Sequence, residues 1–238
     1  IVSFLLVVRS IFFKTFIVSL PVWYLRFTFF NLRSVFMNKS FIIKIIVLCL
    51  VTIKVSAIEK VILFGDSLMA GYGLPKEQHL SVVLQNSLEL EGYNIEIVNG
   101  SVSGSTSAGG LNIAEWTLSK SNIDLMILCL GANDMLRGIN PKETKNNLEE
   151  IIKIAKSKNI KVIIAGMIAP TSYGFGYKKS FDRIFSNLSK KYKLQLIPFL
   201  LEGVAQKPKF NLSDGMHPND QGTIIIGNTL KKAILKNL

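Results

Sequence analysis

Residues 60–75 read KVILFGDSLMAGYGLP, a β-branched and aromatic run that stops at Gly65 and passes straight into Asp66, Ser67 and Leu68. Val61–Phe64 have the length and residue types of a strand buried on both faces, which is the signature of a parallel sheet. In open parallel sheets the carboxyl ends of the strands carry the functional crevice. Ser67, on the turn that leaves this strand, is therefore the first candidate nucleophile. A Gly-Asp-Ser turn is also common in ordinary loops, so the assignment needs support from elsewhere in the chain.

Working outward, strands and helices alternate. Leu80–Leu90 has apolar residues at Leu80, Val83, Leu84 and Leu88 and reads as a surface helix. Ile95–Val98 is expected as the second strand, and the Gly/Ser-rich stretch Ser101–Gly110 as a loop before a short helix at Leu111–Leu118. Asp124–Leu130 reads as a third strand with an exit loop at Gly131–Gly138. Pro141 suits the first turn of a helix running to Ser157, with Leu148, Ile151, Ile152 and Ala155 facing inward. Lys161–Ala165 is the fourth strand and Met167–Tyr177 a long loop. A helix at Ser180–Tyr192, a fifth strand at Gln195–Ile197 and a last helix at Gln221–Lys236 complete the order. The pattern predicts an α/β fold: a three-layer α/β/α sandwich around a parallel sheet of about five strands with right-handed crossovers.

The 238 residues carry a net charge of +12, but the first 57 hold seven of the 28 basic residues and none of the 16 acids. The remaining 181 residues thus have an excess of only five, and that length suits one domain with a sizeable core. Residues 37–57, MNKSFIIKIIVLCLVTIKVSA, have basic residues at Lys39 and Lys44, an apolar core at Ile45–Ile53 and a small-residue end at Val55-Ser56-Ala57. This fits a secretory signal peptide. An uncleaved anchor is the alternative, although the apolar core is shorter than the ~20 residues a spanning helix needs. Translation is expected to start at Met37, with residues 1–36 a gene-model extension or apolar leader and 58–238 the functional domain. Cys49 is a poor lipoprotein site behind Leu48. Cys129, within the apolar LMILCL, then has no disulfide partner and reads as a buried structural thiol.

Ser67 requires a base, and the sequence has two histidines. His79 lies at the start of a predicted helix and suits a solvated or capping role. His217 lies in DGMHPN, three residues after Asp214, a spacing that lets the carboxylate reach the far ring nitrogen within one turn. The same Asp-x-x-His before Pro218 also fits a plain turn. Two histidines and one cysteine beyond the leader cannot form the common zinc sets, and no Walker lysine or GxGxxG register follows a strand. No metal or other cofactor is expected. Basic residues are interleaved with acids along helices such as KNNLEEIIKIAKSK, which describes solvated faces and not a nucleic-acid surface.

Four stretches stand in order: GDSL, VSGSTSAGG (102–110), GANDMLRG (131–138) and DGMHPN (214–219). Together they resemble the blocks of the SGNH, or GDSL, hydrolase family over about Glu59–Leu235, and most closely its bacterial periplasmic acyl-CoA thioesterase and lysophospholipase (arylesterase) branch. The resemblance implies a flavodoxin-like fold and a triad of Ser67, Asp214 and His217. It implies an oxyanion hole made by the backbone amides of Ser67 and Gly104 and the side-chain amide of Asn133. Asp66 and Asp134 are read as structural supports that accept backbone N–H bonds. The chain departs from the close family pattern at Ser105, where Asp is usual, and at Ala132, where Gly is usual. Met135, Leu136, Ile139, Phe175 and Tyr177 are the residues expected to contact an acyl chain.

What the resemblance implies is a periplasmic or secreted serine esterase acting on lysophospholipid, acyl-thioester or aryl-ester substrates. It is expected to act as a monomer with at most transient contact with a membrane surface. Two rivals stand beside this reading: a carbohydrate O-deacetylase of the same fold, and a catalytically silent lipid- or glycan-binding protein.

Overall fold

A computed structural model describes residues 58–119 and 122–238. The leader and signal-peptide assignments within 1–57 lie outside the described residues. The first strand, β1 (Lys60–Gly65), is buried from Val61 onward, and β3 (Leu125–Cys129) is buried at every position. These two pair in parallel at the centre, with β2 (Glu96–Asn99) beyond β1 and β4 (Lys161–Ala165) and β5 (Gln195–Ile197) beyond β3. The order is β2-β1-β3-β4-β5, all parallel. The three-layer α/β/α architecture follows from how the helices pack on this sheet. Helix α2 (Leu80–Glu89) packs against α7 (Asp220–Leu235), while α3 (Ser107–Leu118), α5 (Pro141–Ser157) and α6 (Phe175–Tyr192) pack side by side.

Strand order places the site. After β1 the chain moves to one side to form β2, then returns across β1 to form β3. Connections leaving the carboxyl ends of β1 and β3 therefore diverge, and a crevice opens between them. The β1 exit carries Asp66 and Ser67 at the start of the four-residue helix α1 (Ser67–Ala70), and the β3 exit carries α4 (Ala132–Leu136). Gly65 is required here: a Cβ would stand 2.6 Å from the Cys129 carbonyl oxygen and 2.7 Å from Met69 Cγ.

The largest differences from the sequence reading are three. Helix α3 begins at Ser107, not near Leu111. Thr106 caps it by accepting the Gly109 amide (3.2 Å), and Gly110 packs where a Cβ would lie 2.3 Å from Leu130. Glycine is a poor helix former, but here it is what lets α3 approach the sheet. Gly131–Gly138 contains α4 and is not a plain exit loop. Helix α6 starts at Phe175, five residues before Ser180, because Tyr173, Tyr177, Phe181 and Phe185 form an aromatic column with successive centroids 5.5, 6.0 and 5.7 Å apart. The fourfold spacing of that column keeps the helix on one face.

By contrast α5 has the predicted limits. Asn140 accepts the Lys142 amide (2.9 Å), Pro141 occupies the first turn, and Leu148, Ile151, Ile152 and Ala155 are fully buried. Asp124, just before β3, accepts the amides of Glu59 and Lys60 at 2.9 Å each and so ties the entrance of β1 to β3.

Candidate active site

Asp66 is almost wholly buried and caps α1, its Oδ1 accepting the Leu68 amide at 3.1 Å. That cap turns the chain sharply off β1 and sets Ser67 at the first helical position. From 150 residues further along the chain, His217 Nε2 comes to 2.9 Å from Ser67 Oγ. On the other side of the ring, Nδ1 lies 2.6 Å from Asp214 Oδ2. An ionised carboxylate can only accept, so the proton sits on Nδ1 and Nε2 is left to accept the Ser67 hydroxyl proton.

The turn that carries Asp214 and His217 is fixed by its own backbone. Asp214 Oδ1 accepts the Met216 and His217 amides at 2.8 and 2.9 Å, leaving Oδ2 for the imidazole. These amides, His217's foremost, with the imidazole's attraction added, hold the Asp214 carboxyl down at about 2 against the desolvation that would raise it. Gly215 adopts φ +69°, which glycine tolerates without strain. Below the turn, Leu212 N–H donates to the His217 carbonyl (2.8 Å) and Asn219 N–H to the Phe210 carbonyl (3.0 Å), around an antiparallel bridge of Asn211 and Pro218. Asn211, which the sequence reading did not single out, is buried and donates through Nδ2 to the Val204 and Lys207 carbonyls at 2.9 and 2.8 Å. Asn219 caps α7 by accepting the Gly222 amide at 3.0 Å.

Gly104 sits at φ +78° with open space where a Cβ would project. Asn133, at the start of α4, donates through Nδ2 to the Ser105 carbonyl at 3.1 Å. An amide nitrogen carries two hydrogens, so this bond anchors the group and leaves the second for a ligand. Asp134 is fully buried and accepts three donors: the Ser107 amide at 2.7 Å, the Ser107 hydroxyl, and the Thr144 hydroxyl at 3.0 Å. It therefore joins the starts of α3, α4 and α5 behind the site. Neither Asp66 nor Asp134 bonds the His217 ring. Burial pushes the Asp66 carboxyl up to about 6, moderated by the Leu68 amide, the His217 imidazole and the nearby Asn133 amide. Its Oδ2 has no hydrogen-bond partner among the described residues.

His79 lies apart, between a 3₁₀ turn and α2, with Nε2 3.1 Å from the Leu74 carbonyl. Cys129 is fully buried, and burial raises its thiol well above the ordinary range, as a structural thiol requires. The five residues expected to contact an acyl chain divide. Met135 is packed in the core, because the turn of α4 directs it inward, and the Tyr177 hydroxyl donates to the half-buried Ile139 carbonyl at 2.9 Å within the aromatic column. Leu136 and Phe175 are exposed, the latter beneath the Lys179 ammonium at 5.9 Å.

Sequence reasoning missed Tyr72, Val102 and Met216. Each is about half exposed. Tyr72 lies with its ring 4.5 Å from the His217 ring, and its amide donates to the Ser67 carbonyl at 3.3 Å. The Val102 amide donates to the Gly65 carbonyl at 3.0 Å, and Met216 precedes His217. The aromatic–Gly spacing GYG after GDSL was the available signal for Tyr72. A separate cleft of about 460 Å³ lies between the start of α5 and α6, lined by Asn140, Lys142, Lys145, Tyr177 and Ile184, and neither Ser67, Gly104, Asn133, Asp214 nor His217 lines it.

A family model described as GDSL-like lipase/acylhydrolase matches residues 63–223. The chain is 35% identical over 182 residues to an arylesterase of Vibrio mimicus, covering 76% of this chain and 91% of that one. It is 30% identical over 187 residues to thioesterase 1/protease 1/lysophospholipase L1 of Escherichia coli, covering 79% and 88%. Among solved structures, that of TesA superimposes with a TM-score of 0.72 at 33% identity, over 76% of this chain and all of the other.

Proposed function

The chain belongs to the GDSL-like lipase/acylhydrolase family and is a hydrolase of that type; on that premise we propose that residues 58–238 form a serine esterase in which Ser67 is the nucleophile, His217 the general base and acid, and Asp214 the group that orients and stabilises the imidazole. The observation that carries this reading is the unbroken line from Ser67 Oγ to His217 Nε2 (2.9 Å) and from His217 Nδ1 to Asp214 Oδ2 (2.6 Å). A serine hydroxyl is a weak nucleophile until a base takes its proton as it attacks. His217 removes that proton as Oγ bonds to the carbonyl carbon, and the imidazolium so formed faces the Asp214 carboxylate.

The resulting oxyanion is held by the backbone amides of Ser67 and Gly104 and by the second Nδ2 hydrogen of Asn133. His217 then gives its proton to the departing alkoxide or thiolate, the carbonyl re-forms, and the acyl group stays on Ser67. Water, deprotonated by His217 from the vacated side, attacks the acyl-enzyme; as the bond from carbon to Ser67 Oγ breaks, the imidazolium returns its proton to Oγ and the acid is released. No metal is needed for any of these transfers.

The substrates we assign are carboxylic esters and thioesters: aryl esters, acyl thioesters and lysophospholipids. Support comes from the names of the relatives and from the exposed apolar side chains beside the imidazole, Tyr72 with its ring 4.5 Å from that of His217 and Met216 next to it in the chain, which suit an acyl or aryl group better than a sugar. The enzyme acts as a monomer outside the cytoplasmic membrane, its export directed by residues 37–57. A fluorophosphonate probe tests the nucleophile: a single adduct on Ser67, absent in S67A, is expected. A folded protein that takes no label is instead a silent binding module. Comparison of acetyl with octanoyl p-nitrophenyl esters separates this reading from an O-deacetylase, which would turn over the acetyl ester alone.

A further inference from the structure

Gly104 and Ser105 belong to an exposed turn, closed by the Ser105 amide on the Val102 carbonyl at 3.1 Å. Its first half is fastened to β1: the Ser101 hydroxyl donates to the Leu63 carbonyl at 2.9 Å and the Val102 amide to the Gly65 carbonyl at 3.0 Å. At Gly104 itself, no heavy atom beyond its chain neighbours lies within 4 Å of where a Cβ would project. A left-handed glycine without packing neighbours has wide conformational freedom. Something other than van der Waals contact must hold it.

Two side chains from α4 and its C-terminal cap hold it. Asn133 Nδ2 donates to the Ser105 carbonyl at 3.1 Å, and Arg137 Nη2 donates to the Gly104 carbonyl at 3.0 Å. Asn133 and Arg137 are four residues apart, and the Arg137 amide donates to the Asn133 carbonyl at 3.1 Å. They share one helix face, and that face meets two successive carbonyls of the turn. The guanidinium bond is charge-assisted and lies at the solvent-exposed side of the turn.

We infer that Arg137 is a positioning residue of the oxyanion site: by gripping the Gly104 carbonyl in a turn already closed by the Ser105 amide on Val102, it restricts rotation about the Gly104 backbone and with it the direction of the preceding peptide's N–H, while Asn133 holds the next carbonyl and keeps its free hydrogen in register with that amide. The inference rests on the serine-esterase reading above. Arg137 touches no reacting atom and acts through Gly104. Its loss therefore leaves substrate binding intact and weakens only the interaction made as the oxyanion forms.

The test uses R137A and R137K beside wild type, N133A and S67A, with a p-nitrophenyl ester of an uncharged acyl chain. R137A is expected to lower kcat roughly 10- to 100-fold, as misplacement of a positioning group does, with KM within twofold and the thermal midpoint unchanged. Methylguanidinium added to R137A should recover part of the lost kcat, and R137K, whose ammonium is a point donor on a flexible stem, should fall between. In the N133A background, R137A should cost less than it does alone, because both side chains serve one turn. Unchanged kcat in R137A overturns the inference, as does a rise in KM alone, which would make Arg137 a substrate contact, or an R137A loss that R137K and methylguanidinium both leave unrelieved. A wild-type enzyme without turnover or Ser67 labelling defeats the serine-esterase reading itself, an outcome read from wild type and independent of the Arg137 variants.

Discussion

Asp66 makes a quantitative forecast. Its side chain is 1% exposed, one oxygen is bonded to the Leu68 amide, and the other is unpartnered among the described residues. Burial lifts its pKa from 3.8 to about 6, so between those values the folded protein holds a proton that the unfolded chain releases. Stability therefore falls as pH rises through that window and stays lowered above it. At 1.36 kcal/mol per pH unit the gap amounts to about 3 kcal/mol at neutral pH, a large share of the ~5–15 kcal/mol that stabilises a typical domain. D66N keeps the size and a carbonyl acceptor for Leu68 but cannot ionise. Urea unfolding of both proteins at fixed pH from 4 to 8 should show D66N gaining on wild type by ~2 to 3 kcal/mol across the series, whatever the offset at pH 4. Parallel curves for the two proteins would refute the reasoning, because they would mean that the carboxylate is solvated or paired at neutral pH.

N133A should retain the fold and lose about 2.7 to 4 kcal/mol of barrier lowering, or ~100- to 1,000-fold in kcat, measured by steady-state kinetics against wild type. D214N should lower kcat by roughly 10⁴-fold, since the imidazole then loses the partner that fixes its tautomer. The same carboxyl is held at about 2, below its ordinary 3.8, so its contribution to stability is present above about pH 4 and drains away as pH falls toward 2; circular dichroism during acid titration should show that limb shallower in D214N. G222A sets a helix-propensity gain of up to ~1 kcal/mol against a Cβ 2.2 Å from the Phe210 carbonyl oxygen. Backbone cannot give way as a flexible side chain does, so the variant should melt lower by ~1 to 3 kcal/mol and lose activity as the Phe210–Pro218 segment shifts the Asp214–His217 turn.

Local periodicity in the sequence was enough for the alternation of strand and helix, for the wholly apolar β3, and for α5 between its Asn140 cap and Ser157. These follow from interactions within one or two turns of chain. The Asp214–His217 spacing belongs with them, because three residues bring a carboxylate to an imidazole without help from the rest of the molecule. What lay beyond the sequence was set by contacts across the sheet. Helix α3 starts at Ser107, with Gly110 close against Leu130 after β3. The Asp66 oxygen without a partner among the described residues and the Arg137 grip on Gly104 have no pattern in the chain that announces them. Each depends on β1 and β3 lying side by side while their exits diverge. Strand order, a property of the whole fold, decides which distant groups share the crevice.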